Sequence, residues 1–316
     1  MSILWCGGED IDFMNGGSAP VVGSYIYCRS AYSRASLYGT FAKSNVFAGG
    51  AVTSCWLSCQ AYSSVSGTVK IVGLGKSGTL LSVLLGQVST GKLGIYKYDG
   101  TTLTELAAET GTLFLAYSIH KVDMQIISLG ASTEINVWVD GTLVIEYTGD
   151  PRPTGLTEFD IVTLFGSDSM FSSEIIVASE DTRLMSLKTL APGAAGDTSD
   201  WTGAYTDIDE TTLSDADTIY TADAAVEFNA NLTGMPTGTF ICKGVKVSAR
   251  AADGVGGLTL ATGVRTNSTT DLGTPVTLEG AWETIEKLYQ TNPVTSNRFT
   301  PAEIEALQIA LETAAA

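Results

Sequence analysis

The stretch from Glu134 to Tyr147, "EINVWVDGTLVIEY", leaves the chain fewer choices than any other in the sequence. β-Branched and aromatic residues fill both arms, and Asp140-Gly141 between them accepts the positive φ angles of a two-residue type I′ turn. An antiparallel hairpin is therefore expected. In an unbroken register Ile135, Val137, Val139 and Val144 share one face, and Trp138, Leu143, Ile145 and Tyr147 share the other. Both faces are then largely apolar, as in a strand pair covered on both sides or one whose outer surface binds something.

The same grammar recurs along the chain. "SYIYCRS", "AVTSCWLSCQAY", "GTVKIVGL", "KLGIYKYDG" and "LAYSIHKVDMQIIS" are short strand-forming runs separated by turn residues, which predicts an all-β sandwich or barrel. Only 16% of residues are charged, mean hydropathy is +0.20 and glycine is abundant, as in β-rich structural proteins. A length of 316 residues allows two domains.

A net charge of −17 argues against nucleic acid or an anionic membrane as partner, since both require a basic patch. The start "MSILWCGGED" lacks the basic and apolar regions of a signal peptide, and "TLLSVLLGQV" is too short to span a bilayer. A soluble product, not exported by the ordinary route and without membrane insertion, is expected. Five cysteines at irregular spacing imply no disulfide framework. Cys55 and Cys59, four residues apart on a strand, would lie about 13 Å from each other. Cys6, Cys28, Cys55, Cys59 and Cys242 are expected as free thiols.

Three motifs resemble chemistry. Gly73, Gly75 and Gly78 have the spacing of a dinucleotide-binding loop, with Asp99 downstream. That loop needs a helix after its glycines, whereas the following residues read as strand, turn and strand, so a turn is expected and no cofactor. Glu158 and Asp160 in "TEFDIVT" match the first two carboxylates of a jelly-roll glycosidase signature, but Val162 and Thr163 stand where the third would fall. His120 is the only histidine, and no nucleophile accompanies it in sequence. No catalytic residue, no metal site and no enzyme activity are expected.

"LLGQVSTGKLGIYKYDGTTLTEL" followed by "YSIHKVDMQIISLGASTEINVWVDGTLVIEYTGD" resembles the concanavalin A/laminin-G-like lectin sandwich over roughly residues 65–185. The resemblance implies a jelly-roll β-sandwich; for a carbohydrate-binding sandwich, the residue types that can stack on a sugar make Trp56, Trp138 and Tyr147 the candidates. From "SEIIVASEDTRLMSLKTLAPGAAGDTSDWTG" through "GVKVSARAADGVG" to "YQTNPVTSNRFTPAEIEALQIAL", the chain is similar to a family of tailed-bacteriophage virion proteins that place such a sandwich before a smaller β-rich domain. That similarity implies a structural protein of the virion (head decoration or spike, collar fibre or tail-tip component), made in the bacterial cytoplasm. Its partners would be other virion proteins and further copies of itself, a trimer being expected. The alternative is a receptor-binding protein for host surface glycan.

Residues 189–242 carry nine carboxylates and no lysine or arginine. "TLAPGAAGDTSDW" has the composition of an exposed connector, giving domains at 1–190 and 206–316 joined by 191–205. The acidic residues read as a solvated face, with calcium held by Asp207, Asp209, Glu210, Asp215 and Asp217 as the alternative. Near the end, Thr300, Pro301 and Glu303 predict a capped helix carrying Ile304, Leu307 and Leu311 on one stripe. For "EGAWETIEKLYQ" the spacing fits a helix while the family resemblance implies a strand.

Overall fold

A computed structural model describes residues 2–7, 42–63, 68–88, 92–111, 113–115, 118–165, 170–209, 216–254, 256–278 and 280–316. The described residues fall into two units, the first reaching Leu187 and the second beginning at Lys188. It is an all-β protein of antiparallel sheets with one short C-terminal helix. Among the described residues no helix is long and apolar enough to cross a membrane.

The first unit is a jelly-roll sandwich. Its strands are β1 (Ile3–Gly7), β2 (Ala42–Val46), β3 (Cys55–Ser63), β4 (Val69–Gly75), β5 (Leu81–Gln87), β6 (Leu93–Asp99), β7 (Leu103–Ala108), β8 (Ile119–Ile127), β9 (Thr133–Val139), β10 (Thr142–Gly149), β11 (Ile161–Phe165) and β12 (Met170–Ala178). One sheet runs β1-β12-β3-β8-β9-β10 and the other β2-β11-β4-β5-β6-β7. Alternation along the strands builds the interior. Leu57, Met124 and Val137 align across the first sheet, while Leu74, Val83 and Val162 align across the second, all fully buried. Each such side chain contributes about 1.5–3 kcal/mol of burial.

The β9–β10 hairpin turns at Asp140 (φ 49°) and Gly141 (φ 81°), the positive angles its dipeptide predicts. Its register departs from the unbroken one. Leu143 faces Trp138, but Ile145 faces Val137, so the bulge falls at Val144. The extra residue swings Ile145 into the core, where it is buried with Ile135, Val137 and Val139. It also turns Tyr147 to the face of Ile135, away from Trp138. The expected grouping of Trp138, Ile145 and Tyr147 on one face is thereby corrected.

The second unit comprises β13 (Ala191–Ser199), β14 (Glu227–Thr233), β15 (Val245–Ala251), β16 (Leu258–Thr266), β17 (Thr269–Leu272), β18 (Val276–Thr277), β19 (Glu283–Tyr289), α1 (Pro301–Glu305) and β20 (Gln308–Ala315). Its main sheet runs β13-β14-β20-β16-β17, with β18 on β16, and β15 pairs with β19. Phe228, Leu260, Ile285 and Leu311 form one buried cluster, and Val247, Val264, Tyr289, Phe299, Ile304 and Leu307 another.

The expected connector at 191–205 is mostly strand. Residues 191–199 pair with β14, and Asp197 accepts from Arg265 Nε at 2.9 Å and Gln308 Nε2 at 3.0 Å. Gly193 and Gly196 lie where a Cβ would strike Thr233 and Asn229, so the small residues serve close strand approach.

The C-terminal helix is also shorter than its stripe predicts. Thr300 and Glu303 form the capping box and Pro301 opens the helix, which ends at Glu305. Leu311 then lies on β20, opposite Phe228 of β14. In "EGAWETIEKLYQ", residues 283–289 form strand β19.

Candidate functional site

The outer face of the first sheet carries the aromatic pair. Trp56 stands on β3 opposite Gln125, and Trp138 on β9 opposite Asp123 and Leu143. Their rings stack with centroids 5.2 Å apart and planes 21° from parallel. Arg183 closes over both, its guanidinium 4.8 Å from the Trp138 centroid and 5.3 Å from that of Trp56. Trp56 is 9% exposed, whereas Trp138, Gln125 and Asn136 are half-buried.

The segment after β12 fixes this arginine from below. Asp181 holds the Arg183 guanidinium through Nε and Nη2, a pairing that keeps the Asp181 carboxyl below its ordinary value. Lys121 Nζ donates to the carbonyls of Thr182, Arg183 and Met185 at 3.0, 2.9 and 2.7 Å. Thr182 donates to the buried Asp123 at 2.8 Å. Burial pushes the Asp123 carboxyl above its ordinary value, against the opposing pull of Lys121 at 3.9 Å. Sequence reading found the two tryptophans and missed Arg183. The signal available was local, because Asp181-x-Arg183 is a spacing at which a carboxylate can fork a guanidinium two residues on. Tyr147 is not brought to the pair.

The other chemistry-bearing residues have structural partners. Gly73 and Gly75 lie within β4 and Gly78 (φ 72°) in the turn to β5, so of the motif's glycines only Gly78 sits in the expected turn and the other two belong to the strand before it. That turn is held by the second motif. Glu158 accepts from Lys76 Nζ at 2.9 Å, and Asp160 accepts from the Ser77 backbone N–H and hydroxyl, both at 2.6 Å. Thr163, where a third carboxylate would stand, shares a hydrogen bond with Ser44 at 2.9 Å. His120 is buried with Nδ1 2.7 Å from Asp140 Oδ2, and its Nε2 accepts the Leu115 N–H at 3.1 Å. The proton therefore sits on Nδ1 and ties β8 to the hairpin turn.

Cys55 and Cys59 are free and buried, and burial pushes both thiols up to about 12. Cys6 is a buried thiol and Cys242 a half-buried one. Cys28 lies outside the described residues, as do Glu210 and Asp215 of the acidic run. Asp207 caps a 3-10 turn by accepting the Ala204 N–H at 2.9 Å. Among the described residues no three His, Cys, Asp or Glu side chains cluster as metal ligands.

No family model and no curated protein matches the sequence. Among solved structures, the chain is similar to carbohydrate binding module CBM66 from Bacillus subtilis at 8% identity and a TM-score of 0.33, covering 45% of this chain and 84% of that one. Alginate lyase Aly36B is similar at 10% identity and a TM-score of 0.35, over 60% of this chain and 100% of that one. The heptameric SAP-like pentraxin of Limulus polyphemus is similar at 14% identity and a TM-score of 0.33, over 47% and 77%.

Proposed function

We propose that the chain is a non-enzymatic structural component of a tailed-phage particle. It assembles on the virion with other virion proteins and displays its lectin-like sandwich. The virion reading rests on the sequence resemblance of residues 172–316. Binding is favoured over catalysis by one observation. Glu158, Asp160 and His120 are each engaged by a neighbour, while half-buried Trp138, Gln125 and Asn136 lie together beside an arginine clamped in place.

A second reading, recognition of host surface carbohydrate, is favoured by that same cluster. An indole edge next to two amides offers an apolar platform with fixed donors and acceptors, the combination that holds a neutral sugar ring. Single-site contacts of this size are weak, and a trimer or larger assembly would multiply them.

Mass spectrometry of purified particles should find the chain at a stoichiometry set by virion symmetry, and its absence from particles would sink the structural reading. A neutral-glycan array probed with wild type and Trp138→Ala tests the second. Binding that survives the substitution would remove this face from consideration.

A further inference from the structure

Between β7 and β8, the consecutive backbone amides of Leu113, Phe114 and Leu115 each donate to a side-chain atom that accepts only while it carries no proton. Glu109, just after β7, is 2% exposed, and its carboxylate takes the N–H groups of Leu113, Phe114 and, from β6, Leu93. The Nε2 lone pair of His120 takes the Leu115 N–H at 3.1 Å. His120 is itself buried, and its ring lies 5.4 Å from that of Phe114. Leu113 and Leu115 are 45% and 51% exposed, so two leucines stand in solvent on either side of a buried phenylalanine.

A proton on Nε2 would set one donor against another. Nδ1 already directs its proton at Asp140, 2.7 Å away, and Asp140 is fixed in turn by the Lys121 N–H at 3.0 Å. The charged ring would therefore keep its place at the hairpin turn, and the Leu115 N–H is the group that must yield. Glu109 acts in the same direction, because a protonated carboxyl turns one acceptor oxygen into a donor among amides. The charges around these two groups, among the described residues, offer the amides no other acceptor. Lys92, ahead of β6, donates to the Thr110 carbonyl at 3.1 Å, and the Lys121 ammonium lies on the carbonyls of Thr182, Arg183 and Met185. On the β3 side the residue opposite His120 is the uncharged Ala61.

We infer that residues 113–115 form an acid-released latch. Imidazole is the side chain whose charge ordinarily changes between pH 5 and 8, so acidification over that range breaks the Leu115 bond and loosens the segment from its His120 end. The bonds to Glu109 hold the other end. Release lets Phe114 join Leu113 and Leu115 in one apolar surface beside the turn at Asp140-Gly141. The latch uses none of the residues of the Trp56–Trp138 face and stands or falls without it.

The test is amide hydrogen exchange of the full chain by NMR, expressed as protection factors so that the pH dependence of exchange itself is removed. Between about pH 7.5 and about pH 5.5 the Leu115 amide should lose about tenfold in protection, the worth of one hydrogen bond. The loss should share its midpoint with the nitrogen shift of His120 Nε2, while Met124 and Val137 in the core keep their protection. His120→Gln, which offers an acceptor that takes no proton in this range, should flatten the Leu115 response. Glu109→Gln should cost Leu113 and Phe114 about tenfold at pH 7.5 and leave the Leu115 response in place. If either variant fails to fold, the wild-type comparison of the His120 shift with the Leu115 amide decides alone. Leu115 protection that survives protonation of Nε2, an unchanged pH response in His120→Gln, or full protection of Leu113 and Phe114 in Glu109→Gln would each overturn the inference. So would loss of protection at Met124 and Val137 in step with Leu115, or an imidazole that stays neutral until the whole fold unfolds.

Discussion

Lys76 Nζ lies 2.9 Å from Glu158 Oε1, so the two motifs that most resemble catalytic machinery meet and occupy each other. With Asp160 bound to Ser77, the carboxylates act as a brace for the β4–β5 turn. Glu158→Gln is expected to cost under about 1 kcal/mol, because both partners of the ion pair are more than a third exposed on average and solvent screens them. Asp160→Ala removes two bonds to one carboxylate and should cost about 1–3 kcal/mol. Urea denaturation orders the two. Cleavage of a glycan by wild type that vanishes in Glu158→Gln would show that the glutamate is catalytic.

Asp123 gives the fold a pH dependence of definite sign. Its carboxyl is raised in the folded state chiefly by burial, so the folded protein holds the proton more tightly than the unfolded chain does. The contribution is therefore favourable below the ordinary aspartate value and is lost as pH rises through the elevated one. Asp123→Asn should raise the melting temperature at pH 7–8 by about 2–4 °C, with the gain shrinking toward pH 4. Lys121 would lose a partner only at 3.9 Å and keep its three carbonyls. A variant less stable than wild type at pH 8 would mean that the ion pair outweighs the burial cost.

Stacking of Trp56 on Trp138 should be visible without any ligand. Two indoles this close and nearly parallel couple electronically, so far-ultraviolet circular dichroism should show a paired band that disappears in Trp138→Phe. Arg183→Ala should leave the pair stacked but more open to an aqueous quencher, at a stability cost of about 1 kcal/mol. An unchanged quenching constant would mean that the guanidinium does not cover the rings in solution.

Gly75 separates the strand reading of the glycine motif from the nucleotide reading. A Cβ there would stand 2.6 Å from the Leu81 carbonyl oxygen, so Gly75→Val should destabilise the β4–β5 pair by several kcal/mol, in the range of about 2–5. Wild type should show no affinity for NAD or ATP in calorimetry. Micromolar binding of either would mean that the loop has a use beyond the turn.

How far the sequence reached is set by range. The hairpin at Asp140-Gly141 and the box at Thr300, Pro301 and Glu303 were legible because each is decided within a few residues. The bulge at Val144 was not, since it answers to packing of Ile145 against the other sheet and leaves no mark in the alternation. Leu307 and Leu311 fit a helical stripe, yet "QIALETAA" serves equally as a strand that inserts between β14 and β16, and pairing with both decides it. Trp56 and Trp138 were legible as candidates by residue type. Arg183 was not, because the local Asp181-x-Arg183 spacing shows a fork but not that the forked guanidinium lies over a distant ring pair.

The stretch from Ala191 to Ser199 supplies the sharpest contrast, since its Ala, Pro and Gly content reads as linker while its backbone is paired. Elastase prefers small residues, and Ala191, Ala194 and Ala195 would be open to it in a connector. In a strand held by β14 and pinned at Asp197 by Arg265 and Gln308, a protease must first unfold the edge of the sheet. The segment just before it is different, for Leu184 is fully exposed and residues 180–190 form no strand. Lys121 holds its first half, through the carbonyls of Thr182, Arg183 and Met185. Brief digestion should therefore give C-terminal fragments that begin between about residue 184 and residue 190 and keep the core of Phe228, Leu260, Ile285 and Leu311. Arg265→Ala should leave that pattern in place but admit slow cuts within 191–199, because one of the two pins is lost. Fragments of the wild type that start inside 191–199 would return those residues to the role of connector.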